Sequence, residues 1–247
     1  MTIITQPGAI PAGIETVSGQ YDMTQALRPV ALDLYRDIHK GIRAELFAVT
    51  GQAGSIDASI QHERAALRDH VAAVVDLLVT HAEHEDTHAQ GAIEQHLPDL
   101  ASRIEADHEV LEARLVDLLG RASETVDTTG DPRFHVHRLY IELASFTSAY
   151  LIHQDLEERH VMPALDEAIG FEATLDIHTA IVSSIPPEQM ATSLAVMLPA
   201  MNVDDRAELL GGMREGAPAE VFDGVWSLTT SVLEPADVTS LAARLGL

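Results

Sequence analysis

Residues 81–88 read HAEHEDTH and residues 153–160 read HQDLEERH, so one spacing occurs twice: His81-x-x-x-Glu85-x-x-His88 and His153-x-x-x-Glu157-x-x-His160. Steps of four and three put the three side chains of each set on one face of a helix. Imidazole and carboxylate together are ligands for transition metals, and two such helices facing each other build a metal site inside a bundle. Continuing the steps backward gives Leu67, Val71, Val74 and Leu78 in the first copy and Leu139, Leu143, Phe146 and Tyr150 in the second; forward they reach Ala92 and Ala164. Both series are apolar core stripes, and the His and Glu residues stand where a helix normally points Leu inward. An ionised Glu buried without a partner is costly, and a bound cation is the usual remedy.

Two further stretches carry one histidine each in the same phase. His39 lies in the stripe Leu32, Tyr35, Ile42, Leu46, Val49, and His108 in the stripe Ala101, Ile104, Leu111, Leu115, Leu118. Glu112 is one turn beyond His108, at the stripe's edge. Four amphipathic helices with inward ligands are the layout of a di-metal bundle. The expected fold is all-α: an up-down-up-down four-helix bundle followed by a C-terminal helical appendage. The helices are expected at about 24–49, 58–95, 100–123 and 132–169, with Gly51, Gly54 and Ser55 interrupting after the first and Pro163 bending or ending the fourth. Residues 1–22 read as a loose arm, 23–169 as the bundle and 170–247 as the appendage, divided into short helices by Pro186-Pro187, Gly211-Gly212, Ala217-Pro218 and Glu234-Pro235.

Bulk composition narrows the function. The chain has 247 residues and a formal net charge of −24, and its only lysine is Lys40. Such a surface repels phosphate backbones, which argues against nucleic acid as a partner. There are no cysteines, which excludes disulfides, thiolate metal sites and Cys nucleophiles. The apolar run Val71–Val79 is broken by Asp76 and is too short to span a membrane, and the N-terminus lacks the features of a secretory signal. A cytoplasmic location and no membrane partner are expected.

On these residues the chain resembles the hemerythrin-like (HHE cation-binding) family over about residues 24–169. The resemblance rests on Asp37-Ile-His39-Lys-Gly-Ile-Arg43, His81-Ala-Glu-His-Glu85-Asp86, Asp107-His108-Glu-Val-Leu-Glu112, and His153-Gln-Asp-Leu-Glu157-Glu158 followed by Pro163. It implies a bundle holding two non-haem irons bridged by carboxylates, with His39, His81, Glu85, His108, His153 and Glu157 as ligands. The sequence departs from the oxygen-carrying members at Glu112, where they have a histidine. It also carries His88 and His160, whose Glu85-x-x-His88 and Glu157-x-x-His160 pairs look like those of ferritin-like di-iron enzymes.

The remaining candidates have two readings each. His88 and His160 are either ligands or hydrogen-bond partners of ligands, and Glu112 is either a ligand or a rim charge. Glu158 stands as an alternative to Glu157 for the bridge, and Asp86 as a group that orients a ligand histidine. Tyr35 and Tyr150, one turn from His39 and His153, either pack the core or serve catalysis by donating to bound oxygen or relaying an electron. Imidazole and carboxylate without thiolate suit iron, manganese or zinc; the abundance of candidate ligands favours two irons over a four-ligand structural zinc. The expected function is oxidation of a small molecule by O2 or peroxide, with Glu85 and Glu157 bridging. The alternative is an O2 or NO carrier or sensor, or an iron buffer. A homodimer is compatible with either.

Overall fold

The apolar stripes fold as long helices. In the computed structural model, which describes residues 24–127 and 129–247, α1 spans Arg36–Ser55, α2 Gln61–His88, α3 Gln90–His96, α4 Pro98–Asp127 and α5 Pro132–Leu156. A π-helical turn, Glu157–Val161, joins α5 to α6, Met162–Ser184; then come α7 Pro187–Ala200, α8 Val203–Gly216, α9 Ala219–Val232 and α10 Pro235–Leu245. The chain is all-α, with no strand among the described residues. The expected N-terminal arm, residues 1–22, lies outside the described residues.

Helix α1 packs on α2 and α5, and α4 packs on the same two helices. One apolar core fills the space between them, with Leu46, Leu67, Leu78, Leu115, Leu143 and Phe146 among its members. A second cluster, built on Ile93, Ile104, Leu156, Val161 and Leu165, closes the other end. Along every stripe the His and Glu positions fall between these two clusters: His81 and Glu85 follow Leu78 and precede Ala89, and His108 lies between Ile104 and Leu111. The metal-ligand chemistry therefore occupies a layer between two dry ones.

The helix boundaries depart from expectation where local chemistry outweighs the stripe. Helix α1 begins at Arg36 rather than near Thr24. Pro29 disfavours helix before it, and the Asp33 carboxylate accepts the backbone N–H groups of Tyr35 and Arg36, each at 3.0 Å, as a starting cap does. The helix then continues through Gly51 and Gly54 to Ser55 instead of breaking there. The second expected helix divides at Ala89 into α2 and α3. The last long helix changes just before Pro163: α5 stops at Leu156, a π turn follows, and α6 starts at Met162 with Pro163 in its first turn. The proline has no N–H, and its ring crowds the carbonyl of Arg159, four residues back. The ladder widens just upstream, with Met162 N–H reaching Glu157 O, and the Arg159 carbonyl accepts from Gln25 Nε2 at 2.8 Å. Beyond it Gly170, at φ 75° and ψ 173°, turns the chain in a conformation that only glycine adopts without strain.

The last four helices have their own core, centred on Leu198, Leu210, Phe222 and Leu241. Buried Arg206 ties them together by donating to the Leu198 carbonyl at 2.7 Å and to Asp237 at 2.9 Å. Helix α7 lies on α1. A Cβ at Gly41 would stand 3.0 Å from Val196 Cγ1 and 3.3 Å from Met197 Cα. Ion pairs from Lys40 to Asp205 and from Arg36 to Glu208 extend the contact, as does a bond from Gln189 to Thr80 Oγ1 on α2. Because the second approach to Gly41 is to backbone, a larger side chain there cannot be absorbed by a rotamer change. Gly41→Val is expected to destabilise the protein by about 2 kcal/mol, as overpacking does, and urea unfolding of the variant should show the loss.

Candidate metal centre

Six of the sequence candidates converge. Glu85, His108, His153 and Glu157 each present one ligand atom within 4.8 Å of the others, and His39, His81 and Glu85 form a second such group. Glu85 belongs to both. All six residues are buried, from 0 % exposure at His39 to 9 % at His81 and Glu85, so the groups are no solvated charge cluster. Helix periodicity accounts for the convergence: each residue continues an apolar stripe that already points inward.

The two carboxylates lie between the histidines in the same way. Glu85 Oε1 is 3.0 Å from His81 Nε2, and its Oε2 is 3.6 Å from His108 Nε2. Glu157 Oε2 is 3.4 Å from His39 Nε2, and its Oε1 is 3.3 Å from His153 Nε2. Each carboxylate thus turns one oxygen toward the His39–His81 pair and the other toward the His108–His153 pair. All four oxygens are buried without a hydrogen bond. Such orphans are costly in a low-dielectric interior, and cations seated between the pairs would satisfy them. The donor set, four imidazoles and two carboxylates, fits two first-row transition ions.

Carboxylates also back three of the imidazoles. His39 Nδ1 is 2.9 Å from Glu158 Oε1, His108 Nδ1 is 3.2 Å from Asp86 Oδ1, and His153 Nδ1 is 3.5 Å from Asp107 Oδ2. For His39 and His108 this is how metal-binding histidines are held, with the outer N–H donated so that the inner nitrogen keeps its lone pair; His153 Nδ1 approaches Asp107 without forming a hydrogen bond. Burial pushes His39 down to about 4 against the pull of Glu158, and it also lowers His153. Both rings are therefore neutral near pH 7, the form that binds metal. His108 is raised, because Glu85 and Asp86 outweigh its burial.

The two central carboxyls are driven apart. Burial raises Glu157 well above the ordinary range, and the charge of Glu85 raises it further. Burial opposes ionisation of Glu85 as well, but His81 and His108 outweigh it and hold that carboxyl well below the ordinary range. Tyr35 and Tyr150 flank the site, with ring centroids 5.1 Å from His39 and 5.7 Å from His153. Burial, and then the charges of Glu157 and Glu85, push both phenols well up, so they stay protonated.

His88, His160 and Glu112 are in neither group. His88 is the last residue of α2, where the stripe ends, and its Nε2 lies 3.1 Å from Ser184 Oγ on α6. His160 is half-buried within the π turn. A turn closed by i→i+5 bonds holds more than the roughly 3.6 residues of an α-turn, so a residue three after Glu157 falls short of its face. Glu112 is exposed and lines a surface cleft of about 310 Å³ beside His108, together with Asp86, Glu105 and Glu109. Glu158 lies behind His39, while Glu157 takes the central place.

Sequence reading alone passes over Asp107 and Arg43. Asp107 is 4 % exposed, and Ile104, Asp107, His108 and Leu111 are spaced i, i+3, i+4, i+7, the pattern that marks it as facing inward. Arg43 is one turn after His39, and its Nη1 donates to Glu158 Oε1 at 2.7 Å. No family model, curated protein or solved structure matches the chain. Among the described residues no helix is long and apolar enough to cross a membrane.

Proposed function

We propose that the protein is a hemerythrin-like non-haem di-iron protein, its four long helices forming an up-down-up-down bundle, that uses O2 or peroxide to oxidise a small molecule. The observation that carries this reading is the paired arrangement of Glu85 and Glu157, each with one oxygen toward His39–His81 and one toward His108–His153. Two carboxylates placed in this way suit bridging between two ions better than enclosing one. Six buried ligands exceed what a four-coordinate structural zinc uses, and a histidine–carboxylate set without thiolate suits iron, with manganese next.

Iron held there would supply one-electron redox chemistry and a Lewis acid for O2 or peroxide. The chain's own contribution is readable. The neutral imidazoles of His39 and His153 keep their inner nitrogens available. The apolar clusters on either side keep water out. Tyr35 and Tyr150 pack their rings beside His39 and His153 and keep their phenols protonated.

The apolar clusters on either side of the centre favour reversible O2 or NO binding as the second reading. Anaerobic loading with Fe2+, admission of O2 and a later argon purge, followed by visible absorption, separates the two. Oxidation to a ferric product that the purge leaves in place is the expected result. A band that vanishes on purging, with recovery of ferrous protein, would establish a carrier or sensor instead.

A further inference from the structure

Glu157 and Glu158 are adjacent in sequence, yet both reach His39. Glu157 Oε2 is 3.4 Å from its Nε2 and Glu158 Oε1 is 2.9 Å from its Nδ1. Neighbours on a regular α-helix diverge by about 100° around the axis. The π turn that begins at Glu157 packs more residues into each turn and so reduces that divergence. The Glu158 oxygen that meets His39 also accepts from Arg43 Nη1 at 2.7 Å. His39 and Arg43 are i and i+4 on α1, hence on one face, and Glu158 docks on both at once. One ring nitrogen thus faces the centre, and the other meets a carboxylate that an arginine holds.

We infer that Glu158 and Arg43 are positioning residues for His39: the Glu158 carboxylate takes the Nδ1–H, which leaves the Nε2 lone pair facing the centre, and Arg43 anchors that carboxylate. Neither residue is a ligand. The inference rests on the metal reading above and adds to it how one ligand is oriented. A histidine without such a partner rotates, and it populates the tautomer whose proton would point at the metal. The π turn then has a function in the site: it lets consecutive glutamates serve as ligand and as support.

The test is a titration of the metal-free full-length protein with Co2+, read by calorimetry and by the visible bands of bound Co2+, which report its coordination. Wild type is expected to take up two ions. Glu158→Ala should weaken one of them by about 10–100-fold and alter its bands, the range found when a supporting partner of a ligand is lost. The other ion should be unaffected. Glu158→Gln should recover much of the loss, because the amide oxygen still accepts the Nδ1–H. Arg43→Ala should weaken the same ion, and in a Glu158→Ala background it should add little, since the two act through one contact. Wild-type affinities and bands in Glu158→Ala, or losses from the two residues that simply add, would overturn the inference. If wild type binds a single Co2+, the two-metal reading fails. The positioning role is then decided by whether Glu158→Ala weakens that one ion.

Discussion

Glu85→Ala is expected to reduce metal loading from two ions to at most one. Glu85 is the residue common to both ligand groups, and its two oxygens lie 3.0 and 3.6 Å from the inner nitrogens of His81 and His108. Removing it leaves His39 and His81 with one Glu157 oxygen on one side, and a single carboxylate shared between the two histidine pairs is expected to hold one ion rather than two. The other side keeps His108, His153 and Glu157. The loss should exceed the roughly 10–100-fold that follows deletion of a supporting partner, because a ligand itself is gone. Metal analysis after exhaustive dialysis measures it directly. The expected outcome is about one equivalent retained, against two in wild type. The thermal shift on adding metal should shrink in parallel, since a ligand at about 100 times its dissociation constant contributes about 2.7 kcal/mol to the state that binds it. Retention of both ions in this variant would sink the site.

The six converging residues can be read from the sequence because they inherit the direction of the stripes. Leu78 is 1 % exposed and Tyr150 4 % exposed, and the next steps along the same faces are His81 and His153. The phase holds as far as Glu85 and Glu157 and fails at the following step in both copies, for different reasons. At His88 the helix ends. At His160 the helix continues but its pitch changes. Periodicity assumes a constant rotation per residue, so it carries no information about a π turn. The signal that does mark it is Pro163, whose missing N–H forces the ladder upstream to adjust. The supporting carboxylates divide in the same way. Asp86, next to Glu85, is legible as a supporting group, whereas Asp107 is passed over although the spacing Ile104, Asp107, His108, Leu111 carries its phase signal. The bond from Glu158 to His39 depends on the altered rotation of the π turn and on a residue 119 positions away. The start of α1 was equally local: Asp33 caps it, whereas the apolar character of residues 24–32 suggests a longer helix.

Glu157→Gln is expected to move stability in opposite directions in the two metal states. In the metal-free protein Glu157 is 1 % exposed, and neither oxygen has a hydrogen bond. Its carboxyl is raised well above the ordinary 4.5 by burial and by the neighbouring charge of Glu85. The folded state therefore binds this proton more tightly than the unfolded state does. As pH rises above 4.5, the unfolded chain loses the proton first, and stability contributed by this group falls until its folded value is passed. Glutamine has nearly the same shape and no proton to lose. It should remove that pH-dependent penalty, so the gap between variant and wild type widens from pH 5 toward pH 8. Each pH unit over which the folded state holds the proton and the unfolded state does not is worth about 1.4 kcal/mol, and for a chain of this size each kcal/mol moves the melting temperature by about 2–4 °C. Metal reverses the order. Wild type gains the full binding free energy, whereas the neutral amide is a poor ligand and cannot bridge, so the variant gains less. Thermal melts of both proteins, with and without Co2+ at several pH values, should cross: the variant is higher without metal and lower with it. A variant that melts below wild type in both states would mean that Glu157 serves the fold rather than a cation, and the reading of the centre as a built metal site would lose its energetic argument.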